Sequence, residues 1–143
     1  MPSDLTMKAM NVAHRTLLAV TGGRVGWKAM GMPVIELTTI GRKSGEPRSA
    51  MLTAPLVEGD SYVIVASKGG EPTHPAWYLN LRDEPRVEVR IEGRPVEKRV
   101  ARVASQEERD RMWPLITGRY RNYAGYQKRT SRQIPLVVLE PLG

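Results

Sequence analysis

Six short runs of β-type residues, separated by turn residues, constrain the fold of this chain more than any other feature of its sequence. They lie at residues 34–40, 48–57, 62–66, 86–92, 96–103 and 134–139. Most connections between them are hairpin-like, which favours antiparallel pairing. Six short antiparallel strands in one domain close most economically into a small barrel. The sequence therefore predicts a mostly β fold of about six strands with a few helices.

The runs at 86–92 and 96–103 give the clearest pattern. In the first, apolar residues alternate with charged ones, which predicts a half-buried strand. In the second, the apolar residues change parity after Val100. That change predicts a β-bulge in the returning strand.

Helical spacing appears before the first β-type run. Residues 4–20 have an apolar face, Asp4 is placed as an N-cap, and Gly22 and Gly23 end the pattern. The Gly-rich stretch at 22–33 is predicted to be a loop. The chain is thus divided into residues 1–33, an N-terminal helix with its loop, and residues 34–143, the barrel domain.

The later part of the chain shows further helices, one of which has a clear N-terminal capping pattern. A short helix is predicted at 76–82, and Ser105 with Glu108 forms a capping box for a late helix. Met112, Leu115 and Ile116 give that helix its apolar face, and Pro114 should kink it. A further helical piece covers residues 120–128.

Composition limits the chemistry. The chain has 143 residues, no Cys, and two His at positions 14 and 74. Disulfides, iron–sulfur clusters, Cys-containing zinc sites and a Cys nucleophile are excluded, and we predict no metal site. No apolar stretch approaches a membrane span and no secretory signal is visible, so we expect a cytoplasmic protein.

The net charge of +7 indicates an anionic partner. Nucleic acid, a membrane surface, and a phosphorylated or carboxylated small molecule all remain open on charge alone. A nucleic-acid-binding module is the distant alternative, because the RNA-recognition signature uses Phe and this chain has none.

A basic turn follows the first β-type run. Arg42, Lys43 and Arg48 lie within seven residues, Ser44 adds a hydroxyl, and the flanking Gly41 and Gly45 permit a tight turn. Cations and free backbone N–H groups are what a phosphate site needs. The alternative is a solvated hairpin turn that happens to be basic.

A second glycine-containing segment ends the buried run at 62–66. Ala66, Ser67, Lys68 and Gly69 are mostly small, which lets a flat ligand approach the backbone, and Lys68 adds charge. A plain loop is the alternative. Trp77 follows as a core residue or pocket wall.

Three tyrosines recur at helical spacing. Tyr120, Tyr123 and Tyr126 share one helix face amid several cations. Such a stripe is typical of core packing, but it also suits the lid of a ligand pocket.

Taken in order, these segments resemble the deazaflavin-dependent nitroreductase family of actinobacteria. The resemblance is carried by the three tyrosines and by four segments, which read TTIGRKSGEPR (38–48), VASKGG (65–70), PAWYLNL (75–81) and IPLVVLEP (134–141).

That resemblance implies a split β-barrel that binds coenzyme F420 and transfers a hydride from it to a quinone, enone or nitro compound. By position it assigns two groups of residues. Those that bind the coenzyme would be Arg42, Lys43, Ser44, Arg48, Ala66, Ser67, Lys68, Gly69, Trp77 and Asn80. Those placed at the acceptor would be Tyr120, Tyr123, Tyr126 and Ser67.

Three further expectations accompany the resemblance. The family pattern often has an aromatic residue where this chain has Thr53, which changes the shape of the acceptor pocket. FMN on the same barrel is the alternative cofactor. The N-terminal helix could pack on the barrel, close the pocket or make a peripheral membrane contact.

Overall fold

The computed structural model of the chain describes residues 28–29 and 31–142. Eight strands lie within these residues: β1 (Lys28–Ala29), β2 (Met32–Ile40), β3 (Pro47–Thr53), β4 (Leu56–Glu58), β5 (Ser61–Val65), β6 (Arg86–Ile91), β7 (Glu97–Val103) and β8 (Leu136–Pro141). The helices are α1 (Ala76–Asp83), α2 (Gln106–Arg119) and α3 (Arg121–Lys128), with a 3₁₀ turn at Lys68–Gly70. The N-terminal helix predicted at 4–20 lies outside the described residues.

All strand pairs are antiparallel, and the sheet curls into a half-barrel. Its order is β1-β2-β6-β7-β8-β5-β4, and β3 pairs with β2. The predicted mostly β, antiparallel architecture is confirmed. The sheet begins before residue 34, however, because Lys28 and Ala29 pair with Pro33 and Met32. The predicted loop at 22–33 therefore ends in strand, and the predicted division at residue 33 falls inside β2.

Alternation along β5 and β8 divides the core into two clusters. Ile64 and Val137 face one side of the sheet, where Tyr78 and Leu81 of α1 pack on them. Val63 faces the opposite side, which α2 and α3 cover. Because successive side chains of a strand point to opposite faces, β5 and β8 each contribute to both clusters.

The strand predicted at 48–57 is two strands. β3 ends at Thr53 and β4 begins at Leu56. Between them the N–H of Ala54 donates to the Pro33 carbonyl at 3.0 Å, and Pro55 has no N–H to continue a ladder.

The bulge predicted in β7 is wrong. The register of β7 with both β6 and β8 is continuous, and its buried residues are Arg99 and Ala101. Arg99 is only 5% exposed, and its Nη1 donates to the carbonyls of Asp60 and Leu139 at 2.6 and 2.8 Å. A buried arginine, whose Nη1 donates to two backbone carbonyls while its Nε has no partner among the described residues, occupies a position that the apolar pattern assigned to solvent.

Helix α2 begins as predicted. Ser105 Oγ accepts from the N–H of Glu108, and the Glu108 carboxylate accepts from the N–H of Ser105, so both halves of the capping box are present. The helix is continuous through Pro114 to Arg119. Met112 and Ile116 are buried, but Leu115 is 53% exposed and does not belong to the apolar face.

Glu108 also joins α2 to the sheet. Arg102 of β7 donates to both carboxylate oxygens of Glu108, at 2.6 and 2.8 Å, and to Glu140 of β8. These hydrogen bonds, with those from Ser105, lower the pKa of Glu108 from 4.5 to about 2. The ionised carboxylate therefore contributes stability above pH 4.5 that is lost as the pH falls through about 2.

We expect Glu108→Gln to lower the free energy of unfolding at neutral pH by on the order of 1 kcal/mol, because it removes a partly exposed ion pair. The deficit should shrink as the pH falls below 4.5. Urea unfolding at a series of pH values measures it. Glu107→Gln removes the same charge from the first turn of α2 without this ion pair, and should show little deficit. An equal deficit in both variants would attribute the effect to general helix electrostatics.

Candidate functional site

A cavity of about 380 Å³ opens between the basic turn, the 3₁₀ turn and α1. It is lined by Thr39, Gly41, Arg42, Lys43, Ser44, Arg48, Ser49, Ala50, Lys68, Pro75, Ala76, Trp77 and Asn80. Seven of the residues predicted to bind a coenzyme are among them: Arg42, Lys43, Ser44, Arg48, Lys68, Trp77 and Asn80. No aspartate or glutamate belongs to this lining, although four of its side chains are cationic.

The basic turn is closed by its own backbone. Gly41 N–H donates to the Glu46 carbonyl, and Gly45 N–H donates to the Gly41 carbonyl, both at 2.8 Å. Gly45 has a φ of +72°, a conformation that favours glycine. At Gly41 a Cβ atom would lie 2.5 Å from Ser44 Oγ. The backbone of the turn therefore favours glycine at position 45, and a side chain at position 41 would require Ser44 to move.

Asn80 of α1 fixes the position of that turn. Its side chain is buried, and its Oδ1 accepts from Arg42 N at 3.2 Å and from Arg42 Nη1 at 2.9 Å. Its Nδ2 donates to Thr39 Oγ1 at 3.2 Å. Asn80 thus orients Arg42 at the cavity wall. Sequence reasoning included Asn80 only by resemblance and did not identify Thr39 as its partner.

The other cations of the turn keep more freedom. Arg48 Nη2 is 3.4 Å from Ser44 Oγ, and its Nη1 is 3.8 Å from a Glu46 carboxylate oxygen, with both charged side chains exposed. Within residues 28–29 and 31–142, Lys43 has no hydrogen bond or ion pair. Lys43 and Arg48 are therefore available to an anion in the cavity.

The segment after β5 turns sharply at the other side of the cavity. Lys68, Gly69 and Gly70 all have positive φ, between +46° and +82°. Lys68 Nζ lies 3.5 Å from a Glu71 carboxylate oxygen and 3.3 Å from Thr73 Oγ1. Lys68 lines the cavity, whereas Ala66, Ser67 and Gly69 do not; Ala66 is fully buried and Ser67 is 9% exposed.

The three tyrosines form an edge-to-face ladder on the opposite side of the sheet. The rings of Tyr120 and Tyr123 are 6.5 Å apart and those of Tyr123 and Tyr126 are 5.9 Å apart, at 90° and 86°. Tyr120 and Tyr123 are buried in the second core cluster, and Tyr126 is half-buried against it. None of the three lines the cavity, so the structure places them apart from the basic turn.

Tyr123 has the most constrained hydroxyl of the ladder. It lies 3.2 Å from Thr53 Oγ1 and donates to Met32 Sδ at 3.6 Å. Burial raises the pKa of Tyr123 above its ordinary value of 10, so the hydroxyl keeps its proton at neutral pH. Thr53 is the residue at which the sequence departs from the pattern it resembles.

Two features are absent from the part of the chain that the structure describes. Residues 28–29 and 31–142 contain no group of three or more His, Asp or Glu side chains placed to hold a metal ion. In the same part of the chain, no helix has the length and apolar character to cross a membrane.

Sequence reasoning missed a pair of polar side chains behind the cavity. Arg132 donates to the carbonyls of Ala66, Ser67 and Glu71, and to a ring nitrogen of His74. Arg132 lies in the polar segment before β8, where an arginine gives no sequence signal. His74 likewise lies in no sequence pattern that indicates this contact.

The sequence matches one known protein family over most of its length. The family model described as "F420H(2)-dependent quinone reductase" matches residues 11–141. An F420H(2)-dependent quinone reductase of Mycobacterium tuberculosis is 39% identical over 135 residues, which cover 88% of this chain and 86% of the relative.

Solved structures agree in fold. A structure titled as an F420-H2 dependent reductase superposes with a TM-score of 0.65 at 42% identity, covering 76% of this chain and 94% of the other. A second, titled a domain-swapped dimer, has a TM-score of 0.69 at 37% identity, covering 90% and 96%. The half-barrel therefore matches the expected split-barrel fold, and the chain belongs to the F420H(2)-dependent quinone reductase family.

Proposed function

We propose that this protein is an oxidoreductase that transfers a hydride from reduced coenzyme F420 to a quinone, with the coenzyme bound in the cavity at the basic turn. The observation that carries the proposal is a cavity whose lining has four cations and no carboxylate, in a chain of this family. The family is named for quinone reduction, which favours a quinone over the nitro compound or enone that the sequence also left open.

The residues of the cavity suit this coenzyme. It carries a phosphate and several glutamate carboxylates, and Arg42, Lys43, Arg48 and Lys68 present guanidinium and ammonium groups to the same space. Charge-assisted hydrogen bonds from such groups are the strong ones in phosphate and carboxylate recognition. FMN also carries a phosphate, but the family is F420H(2)-dependent, which favours the deazaflavin.

Each part of the site then has a task. Arg42, held by Asn80, and the freer Lys43 and Arg48 bind the anionic part of the coenzyme. Trp77 gives the cavity an aromatic wall on which a flat ring can stack. The bound deazaflavin supplies the hydride, and the chain has to hold the acceptor close to it and to donate a hydrogen bond where negative charge develops on the acceptor oxygen.

The tyrosine ladder is our candidate for that donor, with Ser67 as the alternative. The C-terminal end of the ladder contacts the 3₁₀ turn at Lys68–Gly70, since a Cβ atom at Gly70 would lie only 2.6 Å from the carbonyl oxygen of Tyr126. Arg129 Nη1 also donates to the Gly69 carbonyl at 3.4 Å. Tyr126 is therefore beside the turn that borders the cavity, and it is the least buried of the three.

We expect Lys43→Ala and Arg48→Ala to weaken binding of oxidised coenzyme F420 by about 10- to 100-fold each, because each variant loses one charge-assisted hydrogen bond. Thermal stability should not change, since both side chains are exposed. A fluorescence titration of the coenzyme measures the dissociation constant, with FMN as the control ligand. Lys98→Ala, an exposed lysine of β7 outside the cavity lining, should bind like the parent. Parental affinity in both cavity variants would refute the anion site.

We expect Tyr126→Phe or Tyr123→Phe to lower turnover with a simple quinone by about 100- to 1,000-fold while coenzyme affinity stays unchanged, because the lost hydroxyl acts only in the transition state. Steady-state reduction and the coenzyme titration are measured for the Phe variants at all three positions. Thr53→Val is the matched control for Tyr123, since it removes the hydroxyl's partner and keeps the hydroxyl itself. If all three Phe variants turn over like the parent, the donor is Ser67 or water.

A further inference from the structure

Arg132 is surrounded by backbone carbonyls of the loop that follows β5. Its Nε donates to the Glu71 carbonyl at 3.0 Å, its Nη2 to the Ser67 carbonyl at 2.8 Å, and its Nη1 to the Ala66 carbonyl at 3.2 Å. Three nitrogens of one guanidinium thus orient three peptide groups. Because the group is planar and rigid, it fixes the relative directions of those carbonyls, which a lysine ammonium cannot do.

His74 extends this arrangement to α1. Arg132 Nη1 lies 3.1 Å from His74 Nδ1, and the His74 ring is 4.6 Å from the ring of Tyr78. Tyr78 directly follows Trp77 in the first turn of α1, and Trp77 lines the cavity. Arg132 and His74 therefore connect the loop on one side of the cavity to α1 on the other, without lining the cavity themselves.

The contact needs a neutral imidazole. Arg132 can only donate, so His74 Nδ1 accepts and must carry no proton. Burial first, and then the charges of Arg132 and Arg82, lower the pKa of His74 below 6.5. The Tyr78 ring of α1 packs against His74 at a tilt of 40°, and the loop that Arg132 binds carries the Lys68–Glu71 ion pair.

We propose that Arg132, held by neutral His74, is a positioning residue for the coenzyme: it sets the segment from Ala66 to Gly69, and with it Lys68, at a fixed spacing from Trp77 of α1 across the cavity. The inference rests on the proposed function, because that function places the coenzyme in the cavity that Lys68 and Trp77 line. Protonation of His74 removes the acceptor and places two cations side by side, so it loosens the loop and weakens coenzyme binding.

The first test uses the protein without coenzyme. The N–H groups of Gly70 and Glu71 donate to the carbonyls of Ser67 and Lys68, so their hydrogen exchange reports the shape of the loop. In Arg132→Lys, these two amide hydrogens should exchange at least about 10-fold faster than in the parent. Arg109→Lys is the matched control, because Arg109 also donates to a carbonyl, that of Ile134, but lies outside the loop. It should leave the exchange of Gly70 and Glu71 unchanged.

The second test uses oxidised coenzyme F420 between about pH 8 and about pH 5, where a histidine titrates. The parent should lose affinity as the pH falls through the lowered pKa of His74, because the imidazole is then protonated and no longer accepts from Arg132. His74→Asn keeps an acceptor near the position of Nδ1 and does not titrate, so its affinity should fall less. At about pH 5 the variant should bind the coenzyme about 10-fold more tightly than the parent does. Arg132→Lys should bind more weakly than the parent at every pH.

The outcomes separate the two proposals. If the parent does not bind the coenzyme but Arg132→Lys loosens the loop, the proposed function fails and the guanidinium clamp stands. If the coenzyme binds, and Arg132→Lys leaves both loop exchange and affinity at the parent's values, the positioning role is refuted. Identical pH profiles for the parent and His74→Asn refute the part assigned to His74.

Discussion

The buried amide of Asn80 is the contact on which the cavity depends. It comes from α1, a helix that packs on one face of the sheet, and it reaches across to Thr39 at the end of β2 and to Arg42 in the basic turn. A buried polar side chain of this kind is costly unless its hydrogen bonds are made, and here both its donor and acceptor sides are used. The same contacts that satisfy Asn80 therefore fix the turn relative to α1 and leave a space between them.

The positive charge of the chain is divided between two tasks. Arg99 and Arg132 are covered by the fold, and their guanidinium groups donate mainly to backbone carbonyls. Lys43 and Arg48 lie at the cavity with few partners. A count of net charge cannot distinguish these two groups, although only the second can attract an anionic ligand. The electrostatic argument for the site thus rests on position, and it becomes available only when the fold is known.

The sequence was sufficient wherever side chains followed a regular period or made local hydrogen bonds. Alternation located β6, and the capping box located the start of α2, since both are set by neighbours in sequence. The sequence pattern was misleading at Arg99. Because a charged residue occupies this core position, the buried positions of β7 do not read as an apolar series, and the pattern falsely indicated a bulge. Arg132 gave no signal, because its partners lie about sixty positions away along the chain. The basic turn was visible in sequence, whereas the amide that positions it was supplied only by resemblance.

Gly70 lies at the contact between the two faces of the sheet. β5 buries Ile64 on the side of α1 and Val63 on the side of α2 and α3, and the chain then turns at Lys68–Gly70. Gly70 has a φ of +82°, and a Cβ atom there would lie 2.6 Å from the Tyr126 carbonyl oxygen. The close approach of α3 to this turn therefore requires glycine for two independent reasons, backbone conformation and space. Because the turn also places Lys68 at the cavity, the tyrosine ladder and the cationic cavity are joined through this one turn, although they lie on opposite faces of the sheet.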